Sequence, residues 1–141
     1  MGPEKIIRQM WGSNAFMNLL KIKIREITCG SVILEMPIDF DIHTNHWFGV
    51  HGGAMAALAD CVTGLTCASV GKICTTLSMN IDYIDNLKGL GVLTVKSEVV
   101  HNGKSTVNLV SRITDDCGNV ICNVSYIMFV MGQMPNVPEK W

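Results

Sequence analysis

Asp60 carries the only charge between Asp41 and Lys72. It stands in the run His51-Gly-Gly-Ala-Met-Ala-Ala-Leu-Ala-Asp60-Cys-Val-Thr-Gly-Leu-Thr-Cys-Ala, which otherwise reads as a buried helix. An ionised carboxylate in such surroundings is costly unless it is paired or solvated, so its retention marks it for use. Gly52 and Gly53 open the same helix. Unpaired amides at a helix start, backed by the positive end of the macrodipole, suit an oxyanion or a carbonyl oxygen. Glycine lets a ligand approach that backbone closely, although a His-Gly-Gly also serves as a plain tight turn.

The spacing of these groups carries a second implication. At about 100° per residue, His51 to Asp60 makes half a turn net and about 13 Å of rise. Asp60 and the helix start are therefore expected on opposite faces and far apart. Two copies related by a two-fold axis, the commonest oligomeric arrangement, would pair the start of one helix with Asp60 of the other.

The other polar and aromatic groups have blander roles open to them. His43, His46 and His51 with Asp60 fit no standard metal spacing, so no metal is expected. No G-x-S-x-G elbow or Ser-His-Asp order is present, nor a G-x-G-x-x-G or phosphate loop. Asn102-Gly103-Lys104-Ser105 reads either as a phosphate cradle or as a charged hairpin turn. Trp47 and Phe48 would line an apolar pocket or pack in the core.

Composition narrows the class. At 141 residues the chain is expected to form one domain with a real core. Only 16% of residues are charged, against about 25% in ordinary soluble domains. So little charge points to surface hidden in an oligomer. A net charge of −1 without a basic run argues against nucleic acid and anionic lipid as partners. The six cysteines form no C-x-x-C pair, and neither a signal peptide nor a membrane-length apolar run is recognisable. A reducing cytoplasm is the expected setting, with the cysteines acting as small apolar residues.

The elements follow from period and punctuation. Residues 3–11 read as a short amphipathic helix started by Pro3, and 13–20 as a second helical turn. Lys21 to Thr28 and Val32 to Ile38 form a hairpin about Cys29-Gly30-Ser31. Residues 39–50 read as a loop and 52–70 as the one long helix. Ala54, Leu58, Cys61, Leu65 and Ala68 make its apolar stripe, and Ala56, Asp60, Thr63, Gly64 and Cys67 a stripe of mostly small residues. Extended runs are expected at about 74–85, 91–101, 104–115 and 119–131, broken at 86–91, at Asn102-Gly103 and at 115–119. The tail from Gly132 is expected to be loose. One apolar helix and a sheet of this size are satisfied by an α+β arrangement, a curled antiparallel sheet wrapped around one long central helix.

That order of elements suits a hotdog fold, and the residues resemble those of the PaaI-type acyl-CoA thioesterases of the hotdog superfamily. The matching pattern is His43-Thr-Asn45, His51-Gly52-Gly53, Leu58-Ala-Asp60, Gly71, Thr75-Thr76-Leu-Ser-Met-Asn80 and Val99-Val-His-Asn-Gly103-Lys, spanning about residues 13–131. The resemblance implies Asp60 as general base or nucleophile on a thioester, with the Gly52 amide of a facing subunit polarising its carbonyl. It implies Asn45 orienting the carbonyl or the attacking water, and Thr76 positioning water near Asp60. His51 would shape the loop and bond the carbonyl. Gly53, Trp47 and Phe48 would contact substrate, and the coenzyme A nucleotide would lie near Gly103, Lys104 and Ser105. It implies a homodimer or homotetramer that takes acyl-CoA and needs no cofactor. The chain departs from the pattern at Phe48, where relatives usually carry glycine, and at Ser78, where some carry a charge. The rival readings are a hotdog hydratase or dehydratase acting on an acyl thioester, and a non-catalytic acyl-CoA binder.

Overall fold

The computed structural model describes residues 1–87 and 89–141. Lys88, part of the expected break at 86–91, lies outside them. Its elements run α1 (Pro3–Gly12), α2 (Ala15–Leu19), β1 (Lys23–Thr28), β2 (Ser31–Pro37), α3 (Phe40–His43), α4 (Gly52–Ala68), β3 (Lys72–Tyr83), β4 (Val92–Asn102), β5 (Thr106–Thr114) and β6 (Val120–Gln133). The strands form one six-stranded sheet in the order β1-β2-β4-β5-β6-β3, with every neighbouring pair antiparallel. The sheet curls around α4, which is the hotdog fold.

The strands form because their residues alternate. β5 buries Val107, Leu109, Ser111 and Ile113 and turns the residues between them outward. The inward rows of β2, β4, β5 and β6 meet Met55, Leu58, Ala59, Val62 and Leu65 of α4 in one apolar cluster. Each large side chain there contributes about 1.5–3 kcal/mol of burial. The polar residues on the inner surface are satisfied: the Thr66 hydroxyl donates to the Val62 carbonyl and shares a hydrogen bond with Ser97.

The facing of α4 differs from the expected stripe. Met55, Ala59, Val62 and Thr66 join Leu58 and Leu65 in the core, while Ala54 and Cys61 are only half-buried. The small-residue stripe divides as well: Thr63 and Cys67 are buried, Ala56 and Gly64 are half-buried, and Asp60 is exposed. With small residues on two flanks, the bulk of Met55 and Val62 settles which side seeks the core.

Two other segments depart from expectation. The loop at 39–50 contains α3, capped by Asp39, whose carboxylate accepts from the Asp41 amide. His43 locks it, accepting from the Asp39 amide at Nδ1 and donating from Nε2 to the Leu20 carbonyl. The tail is not loose. Gly132 and Gln133 extend β6, Met134 and Val137 are buried, and the Trp141 indole donates to the Ser69 carbonyl at 2.7 Å. The tail thus covers the end of α4 where Gly71 turns the chain into β3.

Gly71 has φ +80°, and a Cβ there would stand 2.9 Å from the Val137 carbonyl oxygen. Gly71→Ala is expected to destabilise the fold by roughly 1–3 kcal/mol in a urea titration. An unchanged midpoint would mean that the tail does not pack on this turn.

Candidate active site

Helix α4 lies antiparallel to β3, and β3 is an edge strand. Side chains bridge the two along their length. At the helix start, the Tyr83 hydroxyl donates to the Gly52 carbonyl at 2.9 Å. In the middle, the Thr76 hydroxyl donates to Asp60 Oδ1 at 2.8 Å. Near the end, Cys67 and Cys74 meet; the hydrogen bond to Cys74, then burial, raises the Cys67 pKa. A bulge at Leu77, between the Thr76–Met128 and Ser78–Ile127 pairs, bends β3 beside Asp60.

Asp60 is exposed in the single chain and bonded to Thr76, so its charge there is solvated and paired. Its surroundings are nonetheless ordered. The Thr63 hydroxyl donates to the Asp60 carbonyl, and the buried Tyr126 hydroxyl donates to the Ala59 carbonyl. Burial, reinforced by the charge of Asp60, pushes the Cys61 thiol up to about 11. Cys61 is therefore a neutral thiol at physiological pH and no rival nucleophile.

The helix start is built by capping. His51 is the N-cap, and its Nδ1 accepts from the Gly53 amide at 3.0 Å. An accepting ring nitrogen carries no proton, so the neutral imidazole holds its proton on Nε2. His51 and Gly53 are both exposed. The preceding loop closes through a Thr44–Val50 bridge, with Asn45 Oδ1 accepting from the Trp47 and Gly49 amides. Asn86 brackets Val50, accepting from its amide and donating to its carbonyl. Trp47 and Phe48 stand 84% and 74% exposed at the loop tip, so neither packs in the core.

Gly52 and Asp60 both flank β3, which corrects the expected opposite faces. The half-turn count holds for His51, a cap residue outside the helix; Gly52, eight residues before Asp60, is only about 80° away. Distance still separates them, about 12 Å along the axis. The β4–β5 turn is more remote. Asn102 Nδ2 donates to the Val70 carbonyl, and Lys72 Nζ to the Gly103 carbonyl, which sets the turn beyond the far end of α4. Beside it a groove of about 470 Å³ is lined by Lys72, Asn102, Gly103, Lys104 and Glu139. Ser105 joins the turn to β6 by accepting from the Val130 amide. One chain therefore brings Thr76 to Asp60 and gathers Asn45, Trp47 and Phe48 near His51-Gly52-Gly53. It leaves Gly103, Lys104 and Ser105 apart from both.

A family model described as "Thioesterase superfamily" matches residues 49–122, more than half of the chain. The chain belongs to the thioesterase superfamily. The match runs from the residue before Val50, through the capped helix and β3, to Cys122 in β6, so it contains all three bridges from α4 to β3. A 1,4-dihydroxy-2-naphthoyl-CoA hydrolase of Listeria monocytogenes is 25% identical over 104 residues, 72% of this chain and 83% of that one. A hypothetical thioesterase protein of Streptococcus pneumoniae, solved with coenzyme A, superposes with a TM-score of 0.82 at 29% identity, covering 89% of this chain and 98% of that one. The same protein has been solved with an aspartate replaced by alanine and, separately, with a threonine replaced by alanine. Those two residues have the same sequence separation as Asp60 and Thr76, 16 positions. The PaaI protein of Escherichia coli shares the fold, with a TM-score of 0.84 at 22% identity over 89% of this chain and 91% of that one. Membership of this superfamily supports thioester hydrolysis as the class of activity.

Tyr83 and Asn86 hold the helix start, and neither was singled out from the sequence. Asn86 fell within a predicted break and Tyr83 within a strand. Their contacts with Gly52 and Val50 span 31 and 36 residues, and no local pattern reports them. Among the described residues no group of three or more His, Cys, Asp or Glu side chains is placed to hold a metal ion.

Phe48 has φ +62°, a left-handed conformation that favours glycine. This gives a physical reason for glycine in the family pattern at that position. Phe48→Gly is expected to stabilise the protein by up to about 1 kcal/mol, read from the urea midpoint, because the exposed ring gives up little burial. A clear loss would show that the ring is held by contacts this chain lacks alone. The Cys61 pKa gives a second expectation. Its thiol ionises near 9 when unfolded and near 11 when folded, so its contribution is intact below pH 9 and is lost as pH rises toward 11. Cys61→Ala should flatten that alkaline decline in thermal melts, and an unchanged slope would contradict it.

Proposed function

We propose that this chain is an acyl-CoA thioesterase, acting as one hotdog domain whose active sites lie between two copies. The observation that carries the proposal is the Asp60–Thr76 hydrogen bond on the exposed side of α4, with the 16-residue spacing of the Streptococcus pneumoniae variants. Asp60 accepts a proton from water as the oxygen adds to the thioester carbon. The carbon–sulfur bond then breaks, and the coenzyme A thiolate leaves and takes up that proton. Direct attack by Asp60 through a mixed anhydride is the variant of the same scheme. Thr76 orients the carboxylate, or the water beside it, from the edge strand.

The developing oxyanion is held by the Gly52 amide of a second copy, since about 12 Å separates Gly52 from Asp60 within one chain. The free edge of β3 supports this arrangement, exposing Ile73, Leu77 and Tyr83. Two β3 edges paired antiparallel about an axis near Met79 and Asn80 set Thr76 of one copy opposite Tyr83 of the other. Each Asp60 then faces the other copy's Gly52. His51 Nε2–H adds a second donor at that helix start, and the Asn45 NH2 group orients the carbonyl or the water. The low charge content fits a dimer that pairs further into a tetramer. Lys104, with Gly103 and Ser105, takes the coenzyme A nucleotide; the coenzyme A bound to the Streptococcus pneumoniae protein supports that ligand class. Trp47 and Phe48 contact the acyl group. An aromatic acyl group is the first choice, in keeping with the aromatic substrate named for the Listeria monocytogenes relative. A reducing cytoplasm, where acyl-CoA is available, is the proposed setting.

Thiol release from a panel of short, long and aromatic acyl-CoAs tests the reaction. Asp60→Asn and Asp60→Ala are each expected to lower kcat by about 10²–10⁴. Near wild-type turnover in both variants would sink the mechanism. Gly52→Pro removes the amide hydrogen at a position where proline suits a helix. Mixing it with Asp60→Ala should restore about a quarter of wild-type activity, one intact site in each mixed dimer. No recovery, with mixed dimers demonstrated, would refute shared sites.

A further inference from the structure

We propose that Tyr83 is a positioning residue for the hydrolytic reaction, acting through the Gly52–Gly53 peptide to hold His51 as an Nε2–H donor beside the Gly52 amide. This rests on the thioesterase reading above and adds a residue to it.

The geometry is a chain of two hydrogen bonds through one peptide group. The Tyr83 hydroxyl donates to the Gly52 carbonyl oxygen at 2.9 Å. The N–H of that same peptide, on Gly53, donates to His51 Nδ1 at 3.0 Å. A peptide bonded at both its oxygen and its hydrogen is polarised along its length, and each bond strengthens the other. Rotating the peptide breaks both. The Tyr83 ring adds a steric guide, lying 3.5 Å from where a Cβ on Gly52 would stand.

Two consequences reach the substrate side. Nδ1 is committed as an acceptor, so the neutral imidazole presents a proton at Nε2. The turn that carries the Gly52 N–H is fixed in direction with it. Both donors would otherwise belong to an exposed loop-to-helix junction rich in glycine, where small rotations are easy. Asn86 secures the segment before this junction by bracketing Val50, and Tyr83 secures the segment after it. Tyr83 can donate throughout the neutral range, since burial and the nearby Cys122 thiol push its phenol above the ordinary value. Phenylalanine would supply the ring contact and lose only the bond.

The test uses the full-length protein with Tyr83→Phe and Tyr83→Ala. For Tyr83→Phe, kcat for the best acyl-CoA is expected to fall about fivefold to tenfold, with KM within about twofold and an unchanged melting temperature. Nitrogen-15 spectra of the His51 ring, assigned with His51→Asn, should shift Nδ1 away from its acceptor position. Tyr83→Ala should lose melting temperature as well, which phenylalanine restores while kcat stays low. Wild-type kcat in Tyr83→Phe overturns the proposal. So does a kcat loss that follows melting temperature while the His51 resonances stay in place. If the wild-type protein hydrolyses no acyl-CoA, the thioesterase reading fails. The His51 spectra then decide by themselves: unmoved resonances in Tyr83→Phe overturn the coupling, and a shift upholds it.

Discussion

The seating of α4 against the edge strand β3 is the constraint on which the candidate site depends. The helix is fixed in rotation by the burial of Met55, Leu58, Val62 and Leu65 inside the curled sheet. Once that face is committed, Asp60 must emerge on the flank that meets Thr76, and Gly52 on the flank that meets Tyr83. A rotation of one residue, about 100°, would put Asp60 toward the core or away from β3. The candidate site is therefore positioned by packing that involves none of its polar groups.

Exposure of Asp60 changes how its presence in an apolar helix is understood. A fully buried carboxylate would need a partner close enough to offset its desolvation. Here the single chain offers it one hydroxyl and open solvent, which it tolerates readily. The cost would appear only when another surface covers α4, and that is also when an electrostatic site gains strength. The apolar residues exposed along β3 mark the flank where such covering would remove area from water. In the proposed dimer, site assembly and desolvation would be one event rather than two.

Much of this could be read from residue order. The alternation in β5, the Asn102-Gly103 turn and the glycine-bounded helix each depend on neighbours a few residues apart. The α+β hotdog architecture follows from their order, and Asp60 announces itself as a lone charge. What escaped are properties set over long separations. The facing of α4 depends on which of two small-residue flanks the sheet accepts, and local hydropathy does not rank them. The tail lacks helical or strand period, yet Met134, Val137 and Trp141 find sites at the end of α4. Helix α3 is shorter than the period needed to detect it, although Asp39 and His43 specify it through hydrogen bonds. The expectation for Asn45 concerned contact with substrate, and local pattern gave no sign that its oxygen closes the loop.

The helix start shows why a short motif carries more than its letters. In His51-Gly52-Gly53 the histidine is a cap before it is anything else. Capping consumes the Gly53 amide and leaves that of Gly52 unpaired by the cap, so the second glycine serves the first. The same bond selects the imidazole tautomer, which turns a structural cap into a directed donor. A Ser cap would satisfy Gly53 equally well but would offer no proton-bearing nitrogen beyond it. The cap explains a residue with an acceptor at 51, and on the proposed reaction the free Nε2–H would meet the carbonyl oxygen as well.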